Sequence, residues 1–236
     1  MKREIIYTAD GSHTVAIPEM EVTYHSHNGA LQESLHVFID AGLREAFRLF
    51  EGPIKVFEMG FGTGLNALLT ALEAEKEGRQ VAYTSLELYP LSEEETKGLN
   101  YGQLLPGSEP LLQQLHRSPW GEEVRITDQL CLTKVQTSLF DFATAGQFHV
   151  IYYDAFAPRA QPELWTEDIF KKLRHLLVPE GLLVTYCSKS VVRRAMMAAG
   201  FTVKKVPGPR GKREMVRAYS PLPASPGGGG VGGARR

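Results

Sequence analysis

Val56-Phe-Glu-Met-Gly-Phe-Gly-Thr-Gly-Leu-Asn66 is the stretch that decides the fold of this chain. An apolar run breaks at a Gly-x-Gly-x-Gly turn, and a helix is expected to begin directly after it. Glycines let the backbone approach a ligand closely, and the first turn of a helix offers it unpaired N–H groups. The stretch therefore predicts a strand–turn–helix unit that binds a nucleotide-like cofactor, with Thr63 and Asn66 among the contacts.

The spacing of the glycines favours one class of cofactor. Dinucleotide sites usually read Gly-x-Gly-x-x-Gly, whereas Gly60, Gly62 and Gly64 lie two residues apart. Glu58 stands at the end of the predicted strand, where a carboxylate can pair with the ammonium group of S-adenosylmethionine. We therefore expect S-adenosylmethionine as the cofactor. A dehydrogenase that binds NAD is the alternative that the spacing disfavours.

Strand-like and helix-like segments alternate from Ile54 onward, which predicts a Rossmann-like α/β fold. We expect a mostly parallel, seven-stranded sheet with helices on both faces, one helix capped by Thr166 and another by Ser190. A further segment, Val124–Thr127, is expected to form a hairpin with the third strand. The expected strands are Lys55–Met59, Val81–Leu88, Leu130–Val135, Phe148–Tyr153, Leu182–Cys187, Phe201–Val206 and Glu214–Tyr219.

The chain divides into three predicted segments. Residues 1–50 form a β-hairpin appendage with its turn at Asp10-Gly11, followed by a helix. Residues 51–220 form the Rossmann-like domain. Residues 221–236 consist mostly of Gly, Pro, Ala and Ser, which cannot bury enough apolar surface to offset chain entropy. This last segment is predicted to be a disordered tail.

Composition and charge argue against several classes of protein. The formal net charge is −1, so no global field draws the chain to a membrane or a nucleic acid. The start of the chain lacks the apolar core of a signal peptide, and no apolar run reaches membrane-spanning length. Cys131 and Cys187 lie in separate apolar runs, which suits free thiols in a reducing cytoplasm. His25 and His27 lack further metal ligands, so we expect no metal and a surface or substrate-lip position for both.

Polar residues follow three of the predicted strands, at the edge of the sheet where ligands of doubly wound folds bind. Glu87 closes the second strand, where an acid can accept hydrogen bonds from a ribose diol. Ser138, after the third strand, matches the usual position of an adenine contact better than Asp141 does. These residues extend the predicted cofactor site.

Asp154 ends the fourth strand within Tyr152-Tyr-Asp-Ala-Phe-Ala-Pro158. A methyl transfer requires a neutral nucleophile held in line, and an amine must first lose a proton. A carboxylate can hold the amine and accept that proton, so we predict Asp154 as the catalytic residue. Phe156 beside it is predicted to contact the substrate. An aspartate that only braces a loop is the alternative.

Basic residues concentrate between Lys189 and Arg217, where nine of them stand against the single acid Glu214. Exposed lysines and arginines are most often solvated surface. This segment, however, is predicted to lie beside Asp154, which suits contacts to phosphates that flank a target base. The residues that we expect to make such contacts are Arg193, Arg194, Lys212 and Arg213.

Several of these motifs occur together in one known family. In order, they resemble the methyltransferase domain of the bifunctional tRNA 5-methylaminomethyl-2-thiouridine biosynthesis enzymes, over roughly Tyr24 to Arg217. The resemblance implies a class I, S-adenosylmethionine-dependent enzyme that N-methylates the 5-aminomethyl group of a wobble (2-thio)uridine in tRNA. It also implies Gly60, Gly62 and Gly64 as cofactor glycines, Glu87 as the ribose ligand and Asp154 as the active-site acid. The motifs are Tyr24-x-Ser26-x-x-Gly29, Glu33-Ser34-x-x-Val37-Phe38, Gly60-Phe-Gly-Thr-Gly-Leu-Asn66, Asp154-Ala-Phe-Ala-Pro158 with Pro162-x-x-Trp165-Thr166, Val192-Arg-Arg194, Ala199-Gly-Phe201 and Gly211-Lys-Arg-Glu-Met215.

The chain departs from the family in two respects. Thr137-Ser138 stands where the family usually has Gly-Asp, which affects the adenine contact. The flavin oxidase half has no room after Tyr219, so we expect a stand-alone form that depends on a separate FAD-dependent oxidase or another upstream tRNA-modifying enzyme. The alternatives are a methyltransferase for another amine, on a small molecule or a protein, and a non-catalytic tRNA-binding module with the same fold.

Overall fold

A computed structural model describes residues 2–222 of the chain. Most of the predicted tail, from residue 223 onward, therefore lies outside the described residues. Within them, no helix is both long enough and apolar enough to span a membrane.

The N-terminal strands form a small antiparallel sheet, built on the predicted hairpin. Gly11 has a φ of +83°, and the side chain of Asp10 accepts a hydrogen bond of 3.0 Å from the backbone N–H of Ser12. These features close the expected Asp10-Gly11 turn. A third strand pairs with the second and extends the hairpin; the strands are β1 (Glu4–Tyr7), β2 (His13–Ile17) and β3 (Val22–Thr23).

One continuous helix, α1, follows and packs against the central sheet. It runs through Ala30–Ser34, a π-helical stretch Leu35–Leu43, and Arg44–Leu49. A Cβ at Gly42 would lie 3.0 Å from a methyl carbon of Val184 and 3.1 Å from the ring of Tyr152. The glycine thus permits the close approach of helix and sheet. The segment 1–50 consequently shares its hydrophobic core with the rest of the chain.

The central sheet has eight strands, not seven, because the predicted hairpin partner joins it as an antiparallel edge strand. The order is β10-β11-β9-β8-β4-β5-β7-β6, and the five strands from β9 to β7 in this order are parallel. The bounds are β4 (Ile54–Met59), β5 (Val81–Leu86), β6 (Glu123–Arg125), β7 (Leu130–Val135), β8 (Phe148–Tyr153), β9 (Leu177–Thr185), β10 (Thr202–Pro207) and β11 (Glu214–Tyr219).

Helices cover both faces of this sheet, as the alternating pattern predicts. Two hydrophobic clusters result, one on each face: α1 packs within the first, and α6 and α7 within the second. The remaining helices are α2 (Leu65–Glu77), α3 (Glu93–Lys97), α4 (Tyr101–Leu104), α5 (Glu109–Arg117), α6 (Glu167–His175) and α7 (Ser190–Ala198).

Some predicted boundaries are wrong by a few residues. Strand β5 ends at Leu86, after which the backbone N–H of Glu87 turns to the carbonyl of Val135 at 3.1 Å. Strand β9 begins five residues early, at Leu177, because its first residue already pairs with Phe148 across an irregular register. Ser190 is the first residue of α7 and not its cap, whereas Thr166 caps α6 as predicted.

The two cysteines are free thiols, as predicted. Cys131 is half-buried on β7, and Cys187 is buried just after β9. Burial raises the pKa of the Cys187 thiol, which makes it a poor nucleophile.

Strand order places the candidate site. Strand β4 lies between β5 and β8. The chain continues from β4 to β5 and β7 on one side of β4 and returns to form β8 on its other side, so the strand order reverses at β4. Ligands of open α/β sheets bind in the crevice at such a switch point. The structure has a cleft there, at the carboxyl ends of β4, β5, β7 and β8.

Candidate active site

The glycine turn after β4 forms the floor of the cleft. Gly60, Gly62 and Gly64 all have left-handed backbone, with φ of +92°, +50° and +72°. A Cβ at Gly62 would lie 3.1 Å from the ring of Tyr24, so only glycine keeps both the backbone and that contact. Helix α2 begins directly after the turn, which leaves its first N–H groups near the cleft.

Glu87 connects the turn to the end of β5 and lines the cleft. One carboxylate oxygen accepts the N–H of Gly62 at 3.0 Å, and the other accepts the N–H of Tyr89 at 2.8 Å. A carboxylate offers about four lone-pair sites, so acceptor capacity remains for a diol. The position agrees with the predicted ribose ligand.

Ser138 lies at the opposite end of the same cleft, beside Thr137. Its hydroxyl donates to Asp141 at 2.5 Å and accepts the backbone N–H of Asp141 at 3.2 Å. The side chain is therefore already held by its own loop. Phe140 and Tyr89, which are more than half exposed, border this end and provide flat apolar surfaces.

Glu58 is not where the sequence prediction requires it. Its side chain is 1% exposed and does not line the cleft. One carboxyl oxygen accepts a hydrogen bond of 2.6 Å from Ser85, and burial raises the pKa of Glu58 to about 8. The carboxyl lies behind the cleft wall, so the predicted ion pair with an ammonium group in the cleft has no support in this geometry.

Asp154, just past the end of β8, lines the cleft beside the glycine turn. The side-chain amide of Asn66 donates a hydrogen bond of 3.0 Å to Asp154 Oδ2. Burial, and next the charge of Glu33, raise the pKa of Asp154 to about 7, against smaller opposite effects of Asn66 and Lys212. A carboxyl with such a pKa can accept a proton near neutral pH.

Lys212 lies beside Asp154 and not on an outer surface. Its Nζ is 2.6 Å from the buried carboxylate of Glu33 and 4.0 Å from the centre of the Tyr186 ring. Glu33 also accepts the backbone N–H of Ser26 at 2.7 Å. Lys212 thus forms an ion pair with a buried carboxylate, whereas the sequence predicted that it contacts a phosphate.

Aromatic residues form the wall of the cleft next to Asp154. Phe156 lines the cleft and meets Tyr24 edge to face, with ring centres 5.4 Å apart. The loop is held in place by Trp165, which donates to the carbonyl of Phe156 at 2.8 Å, and by Tyr186, which donates to that of Ala155 at 2.9 Å. The wall is consequently rigid, which suits precise positioning of a planar substrate.

The basic segment is only partly available to a ligand. Arg193 donates to the carbonyl of Ser188 and to the hydroxyl of Ser190. Arg194 and Arg213 are exposed and form no ion pair among residues 2–222. Two further members of the segment are paired: Lys205 with Glu214 at 2.8 Å, and Arg217 with Glu45 at 3.2 Å.

Sequence reasoning missed the roles of four residues: Tyr24 and His25 line the cleft, and Glu33 and Tyr186 lie near Asp154. Tyr24 and Glu33 stand in motifs quoted above, which was the available signal, but nothing local indicated their contacts. His25 was expected on a surface or lip; it is buried, lines the cleft and has a pKa lowered by burial to about 4. Tyr186 follows β9. The described residues contain no cluster of His, Cys, Asp and Glu that could hold a metal ion.

Comparisons with known proteins show similarity to methyltransferases. The family model described as S-adenosyl-L-methionine-dependent methyltransferase matches residues 108–221. The tRNA 5-methylaminomethyl-2-thiouridine biosynthesis bifunctional protein MnmC of Cupriavidus metallidurans is 34% identical over 93% of this chain and 34% of its own length. The protein of the same name from Burkholderia mallei is 33% identical over 90% of this chain and 34% of its own length.

A solved structure matches along nearly the whole chain. The crystal structure of MNMC2 from Aquifex aeolicus has a TM-score of 0.75 and 27% sequence identity, and the match covers 94% of this chain and 71% of that one. The chain spans about a third of the length of the curated relatives that it matches.

Proposed function

We propose that this chain, which is similar to S-adenosyl-L-methionine-dependent methyltransferases, N-methylates the 5-aminomethyl group of a wobble (2-thio)uridine in tRNA. The observation that carries the proposal is the position of Asp154, whose carboxyl lies in the same cleft as the glycine turn. The product would be the 5-methylaminomethyl nucleoside after which the bifunctional relatives are named.

The cleft residues fit S-adenosylmethionine. Gly60 and Gly62 line the cleft without a side chain, so a ligand can approach the backbone of the turn. Glu87 retains acceptor capacity toward a ribose diol, and the exposed rings at the Ser138 end suit a planar base. The proposed cofactor contacts are Gly60, Gly62, Thr63, Gly64, Asn66, Glu87 and Ser138. When bound, this cofactor supplies an electrophilic methyl group on a sulfonium.

Asp154 would prepare the amine for reaction. An aminomethyl group is largely protonated at neutral pH and must become neutral before it can act as a nucleophile. Asn66 occupies Oδ2 of Asp154, whereas Oδ1 accepts no protein hydrogen bond among the described residues. That oxygen can hold the ammonium form and take its proton. Phe156 and Tyr24 would restrict the plane of the target base.

Exposed arginines would contact the tRNA backbone. Arg194 and Arg213 have no ion-pair partner among residues 2–222, so their charges remain available to phosphates. Arg193 donates from two of its nitrogens to Ser188 and Ser190. Its third nitrogen would add a phosphate contact to those of Arg194 and Arg213. Phosphate contacts supply affinity and register, while recognition of the base itself takes place in the cleft.

The reaction consumes a primary amine, so another activity must produce the aminomethyl arm. An FAD-dependent oxidase, or another upstream tRNA-modifying enzyme, fits this requirement, and the curated relatives are bifunctional by name. Action on tRNA together with such an enzyme would place the protein in the cytoplasm.

The direct test is methyl transfer to tRNA that carries the 5-aminomethyl nucleoside. We expect labelled methyl from S-adenosylmethionine to appear in the 5-methylaminomethyl nucleoside when digested tRNA is analysed by mass spectrometry. Transfer to small amines or to protein, with none to this tRNA, would favour another methyltransferase substrate. Binding of tRNA without any transfer would favour a binding module.

A further inference from the structure

A second carboxyl, that of Glu58, lies close to Asp154 and has no part in the chemistry above. It is almost fully buried, and Ser85 donates to its Oε2 at 2.6 Å. No lysine, arginine or histidine of residues 2–222 forms an ion pair with it. An ionised carboxylate is costly to bury without a cation, so this carboxyl should carry its proton.

The side-chain amide of Asn66 lies between the two carboxyls. It donates to Asp154 Oδ2 at 3.0 Å, and its proximity to Glu58 lowers the pKa of that carboxyl, against the larger effect of burial. Among the buried polar atoms of the described residues, Glu58 Oε1 and Asn66 Oδ1 both have no partner. The hydroxyl of Tyr83, which also acts on Glu58, has no partner either. Such a group of unsatisfied atoms in one place calls for an explanation.

A proton on Glu58 accounts for two of these three atoms, Glu58 Oε1 and Asn66 Oδ1. An ionised Asp154 can only accept hydrogen bonds, so Asn66 must turn its N–H toward it and leave Oδ1 facing elsewhere. A protonated carboxyl has one O–H to donate, and Oδ1 is an acceptor that lacks a donor. One hydrogen bond from Glu58 Oε1 to Asn66 Oδ1 would satisfy both.

We propose that Glu58 is a protonated positioning residue, which holds Asn66 Oδ1 so that Asn66 Nδ2 keeps its hydrogen bond to Asp154. The inference rests on the proposed role of Asp154 in methyl transfer. It assigns Glu58 to the support of the catalytic carboxyl, in place of the ion pair with the cofactor that the sequence had suggested.

The titratable groups around Glu58 are consistent with this assignment. Asp154, Tyr83 and Tyr152 face it from β8 and β5, and no cationic side chain of the described residues is among the groups that act on it. Burial, and to a smaller extent the negative charge of Asp154, raise the pKa of Glu58 to about 8, against the opposite effects of the polar side chains of Ser85, Asn66 and Tyr83. Of the two carboxyls, Glu58 therefore keeps its proton to higher pH than Asp154 does.

The kinetic test compares Glu58→Ala with Glu58→Gln. An amide has the donor and the acceptor of a protonated carboxyl, so Glu58→Gln should recover most of the kcat that Glu58→Ala loses. We expect Glu58→Ala to lower kcat about 5- to 100-fold, because it leaves Asn66 Oδ1 without a donor. Tyr83→Phe, which removes the other hydroxyl beside Glu58, is the matched control and should change kcat less than about threefold.

The opposite pattern would overturn the proposal. If Glu58→Gln weakens binding of S-adenosylmethionine in calorimetry as strongly as Glu58→Ala does, Glu58 acts as a charged cofactor ligand. If Tyr83→Phe lowers kcat and Glu58→Ala does not, the proposed hydrogen bond from Glu58 to Asn66 Oδ1 does not support Asp154. Thermal unfolding of each variant identifies any loss of fold.

A spectroscopic test does not depend on activity. The infrared difference between wild type and Glu58→Gln at about pH 6.5 should contain the carbonyl band of a protonated carboxylic acid, since Glu58 is expected to be neutral there. Absence of that band refutes the inference whether or not tRNA is methylated. Conversely, if the wild type transfers no methyl group to tRNA but the band is present, the proposed substrate is refuted and the protonation of Glu58 is supported.

Discussion

Lys212 Nζ lies 2.6 Å from Glu33 Oε1, although 179 positions separate the two residues in the sequence. The pair borders Asp154, and its two charges act on that carboxyl in opposite directions: Glu33 raises the pKa of Asp154, and Lys212 lowers it. A loop between β10 and β11 and the first turn of α1 thus jointly control the protonation of the proposed catalytic residue. The ion pair makes the pH dependence of the reaction testable.

We predict that kcat rises with pH through an inflection near 7, the pKa of Asp154. The sign follows from the chemistry, because only the ionised carboxylate can accept a proton, and that form is lost as pH falls. Glu33→Gln should move the inflection to lower pH, because it removes a negative charge. Lys212→Met should move it to higher pH. Initial rates over a pH series measure both shifts, and shifts of the opposite signs would exclude Asp154 as the titrating group.

Asp154→Asn should lower kcat on the order of 10²- to 10⁴-fold, because the amide cannot accept the proton of the amine. The cofactor is held elsewhere in the cleft, so calorimetry should give nearly the same affinity for S-adenosylmethionine as wild type. A variant that retains full turnover would leave Asp154 with the bracing role that the sequence also allowed.

Gly62→Ala should weaken binding of S-adenosylmethionine at least about tenfold, because the new Cβ meets the Tyr24 ring and the turn must shift. Gly78→Ala is the matched control. Gly78 has a similar left-handed φ, of +62°, but lies at the far end of α2 with open space around it. Both variants should lose about 1 kcal/mol of stability from backbone strain, and only Gly62→Ala should lose the cofactor. Equal affinity in the two variants would contradict the proposed site.

Charge reversal at Arg194 and Arg213 together should weaken tRNA binding about tenfold or more and reduce its dependence on salt. Arg125→Glu is the control, since Arg125 is exposed on edge strand β6, near the start of β7 and away from the cleft. Filter binding at several salt concentrations measures both effects. Unchanged binding after the double reversal would move the tRNA interface to another surface.

His116 should make the protein less stable in acid. Burial lowers its pKa from 6.5 to about 4 in the folded state, so the unfolded chain binds a proton that the native state does not. A depressed folded-state pKa gives stability that is present above pH 6.5 and lost as pH falls toward 4. The loss is on the order of 1–3 kcal/mol.

His116→Gln should flatten this part of the curve, and urea unfolding between pH 4 and 7 measures it. The variant keeps a donor for the carbonyl of Thr63, to which His116 Nε2 lies at 3.0 Å. An unchanged slope would show that other groups control acid stability.

Much of this architecture was predictable because its signals are local. The glycine turn specifies its own backbone conformation, and an acid after an apolar strand falls at the carboxyl edge of a parallel sheet. Glu87 and Asp154 accordingly lie where the sequence placed them. The count of seven strands was wrong because the predicted hairpin partner of the third strand was not counted within the sheet, whereas β6 forms its antiparallel edge.

Local signals also misplaced two residues. Glu58 and Asp154 were both placed at strand ends, yet Glu58 lies within β4, one residue before its end, where its carboxyl is buried behind the cleft wall, whereas Asp154 follows the last residue of β8 and lines the cleft. Lys212 reads as one more cation of a basic segment; only the approach of α1 to the loop before β11 gives it a buried partner.

The strand–turn–helix unit, the cofactor class and the acids at the strand ends were all predictable without the structure, since each depends on residues adjacent in the chain. Tertiary structure alone decided which of these groups are buried, which charges are paired and which atoms lack a hydrogen bond. Those properties depend on solvent exclusion and on contacts between distant segments, and burial and pairing set the pKa values on which the proposed chemistry depends.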